Sequence, residues 1–154
     1  MSELVIQSNS PDETRSLGER LGRTLAAGDV LLLSGELGAG KTLFVQGLAR
    51  GLGFDGPVSS KSFVIMGEYA GRVKLYHADL YRLDDPEQVQ DLALDEITSD
   101  GVLAVEWPER AGGVLPDDGL YVSFEVTGQD TRRLHIESRG ERAMVLAAAF
   151  RDGA

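Results

Sequence analysis

Eight residues carry the first chemical signal: GELGAGKT, Gly35 through Thr42. They meet the spacing G-x-x-x-x-G-K-[ST] at every fixed position. Gly35, Gly38 and Gly40 permit backbone angles that a side chain would block, so successive N–H groups can face inward around a phosphate. A helix starting directly afterwards presents its positive end to the same charge. In that arrangement Lys41 reaches the β- and γ-phosphates and the Thr42 hydroxyl holds Mg²⁺. The alternative is a glycine-rich strand-to-helix connection with an incidental lysine, and the flanking elements argue against it.

Such a loop needs a second part, a carboxylate near the metal at the end of a neighbouring strand. Two positions qualify: Asp79 in YHADLYR, and Glu106, which terminates VLAVE. On an extended strand His77 and Asp79 point to the same face. A carboxylate ending a doubly apolar strand is expensive to bury unless it meets a cation, and Mg²⁺ supplies one. Each acid has a plainer reading. Asp79 could pair with Arg82 or stand at an exposed strand end, and Glu106 could be an ordinary strand-end acid. Beside Glu106 stands Trp107, the sole tryptophan, which either plugs the core or covers the nucleotide. Lys41, the metal and Asp79 or Glu106 would stabilise charge around an attacking oxygen. Whether that oxygen belongs to water or to another substrate is left open, as is Arg82 between internal finger and paired surface arginine.

The elements that must hold these groups are legible on either side. LVIQ (Leu4–Gln7) reads as a short strand. SPDETRSLGERLGRTLAAG reads as a helix with Ser10 as N-cap, Pro11 at its first position, Glu13 completing a capping box and Gly28 as its stop. Leu17, Leu21 and Leu25 mark its core face. The apolar run Val30–Leu33 suits a strand buried on both faces. TLFVQGLARGLG reads as a helix closed by Gly51 or Gly53. Two strands flank a turn at Ala70–Arg72, helical starts lie at Asp85 or Asp91, and Val102–Val105 forms a second buried strand. LYVSFEVTGQDTRRLHIES alternates as a hairpin, and RAMVLAAAF closes the chain as a strand or short helix. The pattern predicts an α/β fold, a P-loop NTPase-like three-layer sandwich whose mostly parallel central sheet carries antiparallel additions.

A chain of 154 residues is one domain's worth, expected here as a single domain over 1–154. The absence of cysteine excludes disulfides, thiolate metal sites and a cysteine nucleophile, and two histidines do not build a histidine-rich zinc site. MSELVIQSNSPDE lacks the pattern of a signal peptide, and no 18-residue apolar stretch occurs, so a cytoplasmic protein is expected. The formal charge of −10 opposes non-specific nucleic-acid binding. TRRLHIESRGER is the one basic cluster, and a solvated strand face is its preferred reading.

GELGAGKT, then VSSKSF, then HADLYRL, then VEWPE, with TRSLGERL (Thr14–Leu21) in the first helix, resembles the TsaE (YjeE) family of small bacterial P-loop ATPases. That family works in the threonylcarbamoyladenosine modification of tRNA. The resemblance implies ATP and Mg²⁺ as cofactors. It places cofactor contacts at Glu36, Leu37, Gly38, Ala39, Gly40, Lys41, Thr42 and Leu43, with Thr14 and Ser62 as further ones. Thr42 and Glu106 would bind Mg²⁺, Lys41, Asp79, Glu106 and Trp107 would be catalytic, and Trp107 would respond to nucleotide state. Ser60 to Phe63 matches a switch-like segment that the family usually writes S-P-T-F. This chain has Lys61 for the proline and Ser62 for the threonine, which keeps the hydroxyl and loses the rigid ring. The implied partners are the TsaB and TsaD proteins, with tRNA reached through their complex and neither DNA nor a membrane involved. Direct tRNA contact through Arg132, Arg133 or Arg139 is a hypothesis beside it. A small-molecule kinase and a non-catalytic nucleotide-binding adapter stand as alternatives. A guanine-nucleotide switch is disfavoured by the lack of N-K-x-D.

Overall fold

A computed structural model of the chain describes residues 2–36, 38–56, 66–81, 99–111, 115 and 118–152. Seven strands form one sheet: β1 (Ser2–Ser8), β2 (Val30–Gly35), β3 (Met66–Tyr69), β4 (Lys74–Asp79), β5 (Gly101–Glu106), β6 (Gly119–Val126) and β7 (Arg132–Arg139). Their spatial order is β1-β7-β6-β2-β5-β4-β3. The middle four, β6, β2, β5 and β4, run parallel. The edges are antiparallel: β3 on β4, and the β6–β7 hairpin followed by β1. The expected mixed sheet with a parallel centre is what the chain forms.

Strand β2 sits at the middle because nothing polar opposes its burial on either face. Leu31 and Leu33 enter one apolar cluster, and Val30 and Leu32 enter a second on the opposite face. Among the described residues, three helices pack on the first face: α1 (Pro11–Gly22), α2 (Lys41–Gly51) and α3 (Glu141–Asp152). The last settles the strand-or-helix alternative for RAMVLAAAF. Its Ala143, Leu146, Ala147 and Phe150 recur at helical spacing and are buried.

Helix α1 starts as expected and stops early. The Ser10 hydroxyl accepts the Glu13 N–H at 3.1 Å. The Glu13 carboxylate reaches one residue beyond the cap and accepts the Asn9 N–H at 2.6 Å. The helix ends at Gly22, not at Gly28, and an external donor takes carbonyls at and just beyond its end. The Arg72 guanidinium, from the β3–β4 turn, donates to the oxygens of Leu25, Gly22 and Arg23. Gly28 instead turns the chain into β2 with φ of 95°.

Helices α1 and α2 touch backbone to backbone, a contact the leucine periodicity does not announce. A Cβ on Gly18 or Gly22 would collide with the carbonyl oxygens of Phe44 or Leu48, and one on Gly47 or Gly51 with those of Arg15 or Glu19. Four glycines spaced G-x-x-x-G on each helix therefore set how closely α2 approaches α1. Through α2 they set where the β2–α2 loop sits. The helical starts expected at Asp85 or Asp91 lie outside the described residues.

Candidate functional site

The loop between β2 and α2 is shaped by left-handed backbone at Gly35, Gly38 and Gly40, with φ of 145°, 79° and 106°. Gly40 is the N-cap of α2 and supplies no side-chain hydrogen bond, so no capping group consumes the N–H donors of the first turn. The loop closes on itself through the Ala39 N–H, which donates to the Glu36 oxygen at 3.1 Å. The Ala39 methyl is fully buried in the core, which anchors the loop from beneath. Glu36 and Gly38 are exposed, and Thr42 and Leu43 are half-buried on the first turn of α2. Leu37 lies outside the described residues.

Lys41 is buried at 4% exposure, an unusual state for an ammonium. Its Nζ donates to the Gly35 oxygen at 2.5 Å and lies 3.6 Å from the centroid of the Trp107 ring. Burial pushes its pKa below the ordinary lysine value, while the charges of Glu106, Asp79 and Glu109 pull the other way. A carbonyl and a ring face offset only part of the desolvation. The ammonium is thus held where an incoming anion would be a better partner.

Trp107 reaches that position through strain. It has φ of 62°, left-handed backbone that costs a non-glycine residue roughly 1–2 kcal/mol. Its N–H donates to the Leu33 oxygen at 3.1 Å, and its ring packs 5.0 Å from that of Tyr81. These contacts lift the indole off the sheet end and over the lysine. The strain buys that placement.

The two carboxylates arrive together by register. Asp79 pairs with Glu106 across β4–β5, and Leu33 pairs with Glu106 across β2–β5, so three parallel strands end side by side. Leu75 and Ala104 face the helices, and by alternation so do His77, Asp79 and Glu106. Glu106 is 3% exposed, and its Oε2 lies 2.5 Å from His77 Nε2. Asp79 Oδ1 accepts the Tyr81 N–H at 3.1 Å. Among the described residues no group of three or more His, Cys, Asp or Glu could chelate a metal unaided.

Thr14 is placed behind the loop. It is 1% exposed, its Oγ1 lies 2.7 Å from Ser8 Oγ, and its methyl group abuts Gly40. In this conformation its hydroxyl is engaged within the protein. Ser62, its neighbours Ser60 to Phe63, and Arg82 lie outside the described residues.

Two participants were missed in the sequence. His77, noted only as sharing a face with Asp79, orients the buried Glu106. Its i, i+2 spacing was the available signal. Arg132, named as a tRNA-contact candidate, donates to the β2–α2 loop oxygens of Ala39 and Gly38 at 3.0 and 3.2 Å. No local pattern announces a contact across more than ninety residues. The other two tRNA-contact candidates, Arg133 and Arg139, lie on the open strand face. Arg133 pairs with Glu125 at 3.5 Å, and Arg139 pairs with Glu137 at 2.9 Å while stacking over Tyr121.

Comparison with known proteins agrees with this architecture. Residues 8–134 match the family described as "Threonylcarbamoyl adenosine biosynthesis protein TsaE". The TsaE protein of Bacillus subtilis is 38% identical over 148 residues, covering 95% of this chain and 92% of that one. The TsaE protein of Treponema pallidum is 38% identical over 130 residues, covering 84% and 96%. Both carry the name tRNA threonylcarbamoyladenosine biosynthesis protein TsaE. The crystal structure of Bacillus subtilis YdiB superposes with a TM-score of 0.83 at 33% identity, covering 99% of this chain and 97% of that one. With the phosphate loop, the paired strand-end carboxylates and these likenesses in agreement, the chain belongs to the TsaE family, whose proteins are involved in tRNA threonylcarbamoyladenosine biosynthesis.

Proposed function

We propose that this chain is a cytoplasmic, slow Mg²⁺-dependent ATPase whose nucleotide state switches a TsaB–TsaD complex during tRNA threonylcarbamoyladenosine modification. The observation that carries this reading is Lys41: buried, in contact among the described residues with a carbonyl and an indole face, and set beside the ends of the strands bearing Asp79 and Glu106. A buried cation with an incomplete partner set favours a polyanion over the contacts it already has.

On this reading Lys41 would leave the Gly35 oxygen for the phosphates, and the first-turn N–H groups of α2 would receive them. Thr42 and Glu106 would hold Mg²⁺, with Asp79 beside them acting on the ion or on a water. Bound Mg²⁺ supplies positive charge against the phosphate oxygens. His77 keeps the Glu106 carboxylate oriented, and Trp107 excludes water above the lysine. Because the indole leans on Lys41, movement of the ammonium toward phosphate would change the environment of the single tryptophan. The modification chemistry itself, and the grip on tRNA, would belong to the partners.

The test is ATP turnover by the purified chain, alone and with TsaB and TsaD, with tryptophan fluorescence followed in parallel. Expected are feeble hydrolysis alone, stimulation by the pair, and a fluorescence change on ATP binding. Full enzymatic speed without partners, or turnover indifferent to them, would overturn the switch reading. Preference for GTP would overturn the choice of nucleotide.

A further inference from the structure

We propose that Arg132 is a positioning residue for the β2–α2 loop, holding its peptide planes so that the Gly40 amide faces the phosphate position before nucleotide arrives; this rests on the ATP-binding reading above. One guanidinium bridges two segments. Nε and Nη2 donate to the oxygens of Ala39 and Gly38 at 3.0 and 3.2 Å. Nη1 donates to the oxygens of Thr131, Gly128 and Gln129 at 2.8, 3.0 and 3.3 Å. These last three belong to the β6–β7 turn and to the residue before β7, a framework fixed by antiparallel pairing up to Val126 and Arg132.

The consequence follows from peptide geometry. No peptide bond in the described chain is cis, so the carbonyl of Ala39 and the N–H of Gly40 lie in one plane and point opposite ways. Pinning the Ala39 oxygen outward to Arg132 turns the Gly40 N–H inward, toward the start of α2. The Ala39 N–H is already committed to Glu36. Without a pin this plane would turn easily, because Gly40 has no Cβ to restrict it. Only a planar fork of N–H donors can hold two successive carbonyls and a turn at once, and the point charge of a lysine cannot.

The experiment compares wild type with R132A and R132K, measuring ATP KM and kcat together with hydrogen exchange of the Ala39, Gly40 and Lys41 amides in nucleotide-free protein. Loss of preorganisation predicts an ATP KM raised about tenfold with kcat changed less than about twofold. Faster exchange confined to those amides should accompany it, with R132K resembling R132A. R132K keeps the stem and the charge, so it carries the test if R132A folds poorly. Unchanged KM, unchanged loop exchange, full rescue by R132K, or a fall in kcat at constant KM would each overturn the assignment. The exchange measurement needs no nucleotide. It therefore decides whether Arg132 orders the loop even if wild type fails to bind ATP, a result that would sink the ATPase reading instead.

Discussion

Strand β2 has a buried charge at each end, and the two are treated differently. Asp29, just before it, is 4% exposed and fully engaged. It accepts the Ala26 N–H at 2.7 Å and both Nε and Nη2 of Arg142 at 2.8 and 3.0 Å. Lys41, just beyond the other end, is as deeply buried and leans on a carbonyl and a ring face. Asp29 closes its own accounts and fixes where α3 docks. Lys41 meets, among the described residues, only a carbonyl and a ring face at close range. The same depth of burial thus serves architecture at one end and readiness for a ligand at the other.

Opposite substitution patterns should separate the ends. On the ATPase reading, K41A should weaken ATP binding on the order of a hundredfold, since the buried ammonium that would face the phosphates is lost. Its nucleotide-free melting temperature should hold or rise, because a poorly compensated buried charge is removed. D29A should do the reverse. It leaves the Ala26 N–H without its acceptor, and stability should fall by about 1–3 kcal/mol with ATP affinity unchanged. The loss stays below that of a fully buried broken pair because half-exposed Arg142 can return to water. Calorimetric titration and thermal melts on both variants make the check. If K41A melts as low as D29A, the contrast between the ends is wrong.

A smaller effect probes how the ligand end is held in place. G47A and G18A each put a methyl group against a backbone carbonyl of the opposing helix. Alanine's helix propensity would favour the variants by up to about 1 kcal/mol. Overpacking against backbone costs typically 1–3 kcal/mol, so the net change should be destabilising in urea melts. Net stabilisation would mean that α1 and α2 can separate freely and that their closeness does not position the loop.

What the sequence disclosed divides along similar lines. The loop, its flanking buried strand and helix, and both strand-end carboxylates were legible because each is local: spacing, periodicity and a terminal charge. That Asp79 and Glu106 stand side by side was not legible, because two strands that each end on an acid do not say that β4 and β5 are neighbours. The early end of α1 was hidden because Arg72, some fifty residues away, supplies its capping donors. Arg132 was hidden for the same reason and was misread as surface charge. Trp107 could be flagged as a cover, but not its left-handed backbone, which contacts to Leu33 and Tyr81 impose. The glycines of α1 and α2 were visible as letters. What they meant required knowing that the two helices face each other.

The smallest expected effect lies on the antiparallel wing, where charges are neither buried nor waiting. Glu125, His135 and Arg133 are each about half exposed. The hydrogen bond from His135, assisted by Arg133, holds the Glu125 carboxyl below its ordinary range. A depressed carboxylate contributes stability above its unfolded pKa and loses it as the pH falls through the folded one. E125Q should therefore melt marginally below wild type at neutral pH and low salt, with the gap closing as the pH drops below the ordinary glutamate range. Salt should erase the same gap, because an exposed pair is screened. A gap that persists in acid or in high salt would show that Glu125 acts through packing. The open wing would then be a built surface, and the division between a finished end and a waiting end would need a third category.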